Sequence, residues 1–320
     1  MAVKKLVAPP KKKQLARASR TARRLDELKK EKELLANLSL PEAPRARDVD
    51  ASRYVGLMYG RAGIGKTSWC ASWPDCMVLS FERVSRGLSG YYDFNSENGG
   101  ITSWPIMRRA VELLEASKRH PTVIVDTGDM AYRRCMEQVC RERNVEHPED
   151  EGWGKGWNEV RKEFSSVFKR ILDTGRGLWF ISHSREVEIT SFSGNKFSRI
   201  QPTLPGQAYE FIKGVTDLTF YAEYMTDRSG KEKRVLITLG DELIDAKNSM
   251  NLPKFIPLEK SNGFKTLEQA LAGETAGIAP AELIPGKKTS EAATRLVRLE
   301  SSKGSAKPGA ARKSVPARRK

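Results

Sequence analysis

Three features of the sequence predict an α/β fold with a mainly parallel sheet covered by helices on both faces. Short apolar strands alternate with helical segments, a glycine-rich turn separates the first strand from the first helix, and the next two strands each end in an acid. At 320 residues the chain can bury one substantial core with flanking segments to spare.

The elements follow in order. Tyr54–Tyr59 reads as a strand running straight into Gly60, followed by a helix through Trp69. Cys76–Phe81 is the second strand. Pro105 suits the first turn of a helix that continues through Ile106, Ala110, Val111 and Leu114. Val123–Val125 is the third strand, closed by Asp126. Val160, Phe164, Val167, Phe168 and Ile171 fall on one helical face, and Gly177–Ile181 is the fourth strand. Beyond Pro205 the β-rich runs Val215–Tyr224 and Arg234–Leu239 flank the turn Asp227-Arg228-Ser229-Gly230, which predicts a hairpin extending the sheet. Gly263–Leu271 reads as a last helix.

The charge separates the core from its flanks. The net charge is +16, yet residues 1–37 carry 12 Lys/Arg against 4 Asp/Glu and residues 286–320 carry 11 against 2, which leaves the middle close to neutral. Three regions result: a basic N-terminal arm and linker over 1–50, helical from about Ala16 to Leu38; a core over 51–272; and a basic tail over 273–320, read as disordered for want of apolar and aromatic residues. No apolar run is long enough to cross a membrane, and the N-terminus lacks the apolar stretch of a secretory signal. The expectation is a soluble cytoplasmic protein. Cys70, Cys76, Cys135 and Cys140 show no metal-ligand spacing and read as buried or indifferent thiols.

Gly60-Arg61-Ala62-Gly63-Ile64-Gly65-Lys66-Thr67 matches the phosphate loop G-x-x-x-x-G-K-[ST], in the strand-to-helix context that the motif requires. Glycines let successive backbone N–H groups face phosphate oxygens, and the helix that follows, through Ser68, adds its positive end. Lys66 is expected to reach the β- and γ-phosphates and Thr67 to bind Mg²⁺; the expected ligand is Mg-ATP. Asp126, at the end of an apolar strand, is the expected partner of the Mg²⁺ water shell; an ordinary strand-end turn is the alternative. Glu82 ends the strand after the loop helix. In ATPases with an extra strand between the phosphate-loop strand and the Mg-binding strand, an acid there polarises the attacking water; the alternative is a surface pair with Arg83 or Arg86. His183, after the fourth strand, is a candidate γ-phosphate sensor or a hydrogen-bonded edge histidine.

The succession GRAGIGKT, VLSFE, TVIVDT and GLWFISHS resembles the RecA-like P-loop NTPase core. More closely it resembles phage-encoded ATPases grouped with single-strand annealing and recombination proteins. Gly152-Trp153-Gly154-Lys155-Gly156-Trp157, and Ala246-Lys247-Asn248 followed by Leu252-Pro253, carry the same resemblance, which spans Ser52 to Leu271. It implies ATP-dependent work on single-stranded DNA by a homo-oligomeric ring or filament in the host cytoplasm. It assigns Glu82 as the catalytic glutamate, with Lys66, and Asp126 as the Mg-associated acid. It puts His183 where RecA has a sensing glutamine, Lys247 near a residue offered to the neighbouring subunit's ATP, and Lys196 and Arg199 in a DNA-contacting loop from Glu188 to Pro205. Against this ATPase stand an ATP-switched DNA-binding or assembly module with little turnover and a replicative helicase-like ATPase. A small-molecule kinase lacks a recognisable lid, and a GTPase lacks its N-K-x-D, since Asn195-Lys196 is followed by Phe197-Ser198.

Overall fold

The computed structural model describes residues 28–29, 31–44, 46–82, 88–190, 194, 196–259, 261–275 and 277–305. The chain divides into two compact units, Met1–Asp48 and Val49–Lys320. In the first, residues 28–29 and 31–36 are helical; the start of the expected helix, from Ala16, lies outside the described residues.

The second unit runs β1 (Val55–Gly60), α1 (Lys66–Cys70), β2 (Met77–Ser80), β3 (Tyr92–Asp93), α2 (Trp104–Ala116), β4 (Thr122–Asp126), α3 (Gly128–Arg143), α4 (Lys155–Leu172) and β5 (Gly177–Ser182). It continues with β6 (Ser184–Thr190), β7 (Lys196–Pro202), α5 (Gly206–Val215), β8 (Leu218–Asp227), β9 (Glu232–Ile237), β10 (Lys247–Asn248), β11 (Phe255–Pro257), α6 (Gly263–Ala272), β12 (Leu283–Ile284) and α7 (Glu291–Ser305). The main sheet has the order β11-β9-β8-β1-β5-β4-β2-β3, with β10 and β12 also paired to β8. From β3 to β8 every neighbouring pair is parallel, and the β8–β9–β11 end is antiparallel. The expected hairpin extension is therefore present.

Alternation along the parallel strands gives the sheet two apolar faces. Leu57, Leu79, Val123, Val125, Leu178 and Phe180 pack with residues of α2, α3, α4 and α5. Met58, Val78, Ile124, Trp179 and Ile181 face the other way, against Trp69 and Cys70 of α1 and Leu267 of α6. Pro105 sits in the first turn of α2, as its fixed φ allows. All four cysteines are buried and unpaired.

Two expectations are corrected. The segment Glu188–Pro205 is not an open loop: β6 and β7 pair antiparallel from Ser184↔Pro202 to Thr190↔Lys196 and form a ribbon of their own. Nor is the basic stretch beyond Gly286 disordered as far as Ser305. Ala292, Ala293, Leu296 and Val297 of α7 are buried with Tyr221, Met225, Val235 and Ile237. The approach to α7 is tied to β8: Ser290 N donates to Oε2 of the buried Glu223 at 3.1 Å, and Thr289 Oγ1 donates to Tyr224 O at 2.7 Å. The folded unit thus runs past residue 272, while residues 306–320 lie outside the described residues.

Candidate active site

The site assembles where β1, β5, β4 and β2 end together, with Tyr59 opposite Ser182, Ile181 opposite Asp126, and Asp126 opposite Ser80. The glycine loop turns from β1 into α1 through Gly65 at φ 111°, a left-handed conformation that a side chain would strain. Lys66 is 5% exposed, and its Nζ curls back to donate to Gly60 O at 2.8 Å and Arg61 O at 2.9 Å. Burial lowers its pKa, against the pull of Asp126, Glu82 and Asp129 in the opposite direction. Lys66 brings a buried positive charge to the cradle, beside the backbone N–H groups that open α1. Thr67 Oγ1 donates to Asp126 Oδ2 at 2.7 Å. Burial raises the Asp126 pKa, opposed by that hydrogen bond and by Lys66.

β5 lies between β1 and β4, the arrangement in which an acid at the end of β2 faces the phosphate loop. Glu82 occupies that place. Its Oε1 accepts from Thr127 Oγ1 at 2.8 Å, and its Oε2 lies 3.6 Å from His183 Nε2. The Asp126–Thr127 peptide is cis. These groups open onto one cavity of about 860 Å³, within the size range of small-molecule sites. Ala62, Gly63, Gly65, Lys66, Thr67, Ser68, Glu82, Asp126 and His183 line it, so the structure brings most of the sequence-predicted group together. Gly60 and Arg61 supply carbonyls to Lys66 instead. Ile64 is buried, and its carbonyl accepts from Arg234 Nη1 at 3.4 Å. The donor set fits Mg-nucleotide: a hydroxyl and a carboxylate already side by side for the cation, and a buried ammonium for the phosphates.

Sequence reasoning missed Thr127, Ile181, Ser261 and the wall formed by Ala71, Ser72, Trp73 and Pro74. Thr127 was findable, as the hydroxyl residue directly after Asp126. Ser261 carries no local signal, because a distant segment brings it in.

The remaining predicted residues lie away from the cavity. Lys247 pairs with Thr219 near the start of β8, and its Nζ donates to Thr216 O, at the end of α5, at 2.6 Å. Lys196 pairs with Glu188 at 2.8 Å. Arg199 lies 3.6 Å from Asp245, which also accepts from Lys213 and from the Tyr209 hydroxyl. The motifs shared with the resembling family have structural roles. Asn248 Oδ1 accepts from Met250 N and Leu252 N, while its Nδ2 donates to Leu252 O, which orders the turn into Leu252-Pro253. A Cβ on Gly156 would stand 2.2 Å from Pro148 O, so only glycine fits that approach; nearby Trp153 is 97% exposed.

The strand order and the Lys66, Thr67 and Asp126 constellation define a P-loop nucleoside triphosphatase of the RecA-like class. The model of an AAA domain family (AAA_24) matches residues 52–250, well over half of the chain, and the chain belongs to that family of nucleotide-dependent ATPases. No curated protein matches the sequence. Among solved structures, the flagellar accessory protein FlaH from Methanocaldococcus jannaschii is 12% identical, with a TM-score of 0.35, covering 67% of this chain and 91% of its own. A KaiC-like protein from Pyrococcus horikoshii OT3 is 11% identical, with a TM-score of 0.38, covering 66% and 88%. Both likenesses are loose, and the fold assignment rests on the strand order. Among the described residues no helix is long and apolar enough to cross a membrane.

Proposed function

We propose that the protein hydrolyses ATP with Glu82 as the residue that orients and deprotonates the attacking water, and that it does so on single-stranded DNA. The observation that carries the hydrolytic half is the meeting of Lys66, Thr67, Asp126 and Glu82 on a single cavity. Lys66 would hold the β- and γ-phosphate oxygens. Thr67 and Asp126 would hold Mg²⁺ and its waters, which would supply positive charge against the negative charge developing on the phosphates. Glu82 takes a proton from water as its oxygen bonds to the γ-phosphorus; the bond from phosphorus to the bridging oxygen breaks, and ADP leaves.

The DNA half is supported by the resemblance to annealing and recombination ATPases and by the basic ends of the chain. The ribbon contributes less than its composition promised, because Lys196 and Arg199 are engaged by Glu188 and Asp245. We assign the work to phage DNA recombination, annealing, repair or replication, by a homo-oligomer. His183 remains the proposed γ-phosphate sensor. Lys247 can serve a neighbouring subunit only by giving up its bond to Thr216. ATP hydrolysis measured at low salt should rise when single-stranded DNA is added, with particle size followed in parallel. A folded protein whose turnover ignores DNA would sink this half of the reading.

One observation favours a second reading, an ATP-driven switch with little turnover: Glu82 is already engaged by Thr127 and faces His183. Glu82→Gln separates the two. Loss of a measurable turnover supports the hydrolase, and an unchanged, negligible turnover supports the switch.

A further inference from the structure

We propose that Thr127 is the positioning residue for Glu82, an inference that rests on the hydrolytic role just given to that acid. Residues 82 and 127 are far apart in sequence, yet β2 and β4 run in register with Ser80 opposite Asp126, so both strands leave the sheet at one level. Asp126 O accepts from Phe81 N at 2.7 Å and from Glu82 N at 3.3 Å, which anchors the backbone of Glu82 to the residue before Thr127.

The side chains repeat the link. Thr127 is 1% exposed and β-branched, so its χ1 is stiff. Its hydroxyl also stands at the N-cap of α3, where Met130 N approaches the oxygen at 3.5 Å. A hydroxyl carries one proton; with the helix amide on the oxygen's lone-pair side, that proton points at Glu82 Oε1, 2.8 Å away. Oε2 is then the carboxylate oxygen on the side of His183, in the wall of the cavity. A partly exposed glutamate at a strand end would otherwise sample several rotamers. The helix cap thus fixes which oxygen of Glu82 meets the water.

The test is steady-state hydrolysis of Mg-ATP by the full chain and its Thr127→Ser, Thr127→Val, Thr127→Ala, Glu82→Gln and Glu82→Gln/Thr127→Val variants. Loss of the hydroxyl in the Val and Ala variants should lower kcat about tenfold while KM for ATP stays within about twofold, and Ser should restore kcat. The double variant should be no slower than Glu82→Gln alone, because Thr127 acts through Glu82. A role confined to capping α3 would lower Tm in the Val and Ala variants and leave kcat unchanged. That result, or losses that add in the double variant, overturns the inference. If Thr127→Val fails to fold, the Ala and Ser pair decides the matter. Full turnover by Glu82→Gln would instead overturn the role given to Glu82, an outcome distinct from the failure of Thr127.

Discussion

Asp126 shows what the site costs the fold. The residue is 8% exposed and its pKa is raised, first by burial. The sign follows from linkage: the folded chain holds that proton to higher pH than the unfolded chain does, so stability falls as pH rises from the ordinary carboxylate range through the folded pKa. Asp126→Asn keeps an acceptor for Thr67 and removes the buried charge. The nucleotide-free variant should therefore melt a few degrees above the parent at neutral pH, and the gap should close in acid. Thermal melts across pH check this, and a gap that widens in acid would refute it. The same variant should lose most of the melting increase that Mg-ATP gives the parent. The identities of Lys66, Thr67, Asp126 and Glu82 were legible because their chemistry is tied to fixed places on consecutive strands. The bond of Lys247 to Thr216 O was not legible, because the carbonyl at the end of α5 is brought beside it only by the fold.

At the scale of elements, the buried parallel strands were easier to read than pieces whose apolar residues are few among charges. The buried parallel strands β1, β4 and β5 are nearly continuous apolar runs, as a sheet covered on both faces demands. The helix α3 escaped notice because its buried residues Ala131, Tyr132, Cys135 and Val139 are thinly spaced among arginines and glutamates. The helix α7 was masked in the same way: Ala292, Ala293, Leu296 and Val297 form a one-sided stripe inside a segment whose overall composition reads as disordered. If that stripe is a working part of the core, Leu296→Ala, at a site 1% exposed, should cost about 2–5 kcal/mol. Urea unfolding measures it, and a midpoint equal to the parent's would mean that α7 contributes no packing.

For the whole molecule, charge and hydrogen bonding set how it meets other chains. If the chain works on DNA as proposed, its near-neutral middle and basic ends should make that affinity fall steeply with salt. Removing residues 1–27 and 306–320 should flatten the plot of log affinity against log salt, by about 0.7 for each phosphate of a single strand that the ends had neutralised. Fluorescence anisotropy on a labelled oligonucleotide tests this, and an unchanged slope would mean that other parts of the chain hold the DNA. The sheet order has a separate consequence for assembly. One end of the main sheet is β3, two residues long, and the other is β11, three residues ending in Pro257. Edges that short offer an incoming strand few backbone partners. The ribbon is different, because β6 is seven residues long and among the described residues pairs only with β7, and it carries Arg185, Glu186 and Glu188 along its length. In the homo-oligomer proposed above, copies of this chain would therefore join through side-chain surfaces rather than a continuous shared sheet, with charged β6 guarding the long rim that remains.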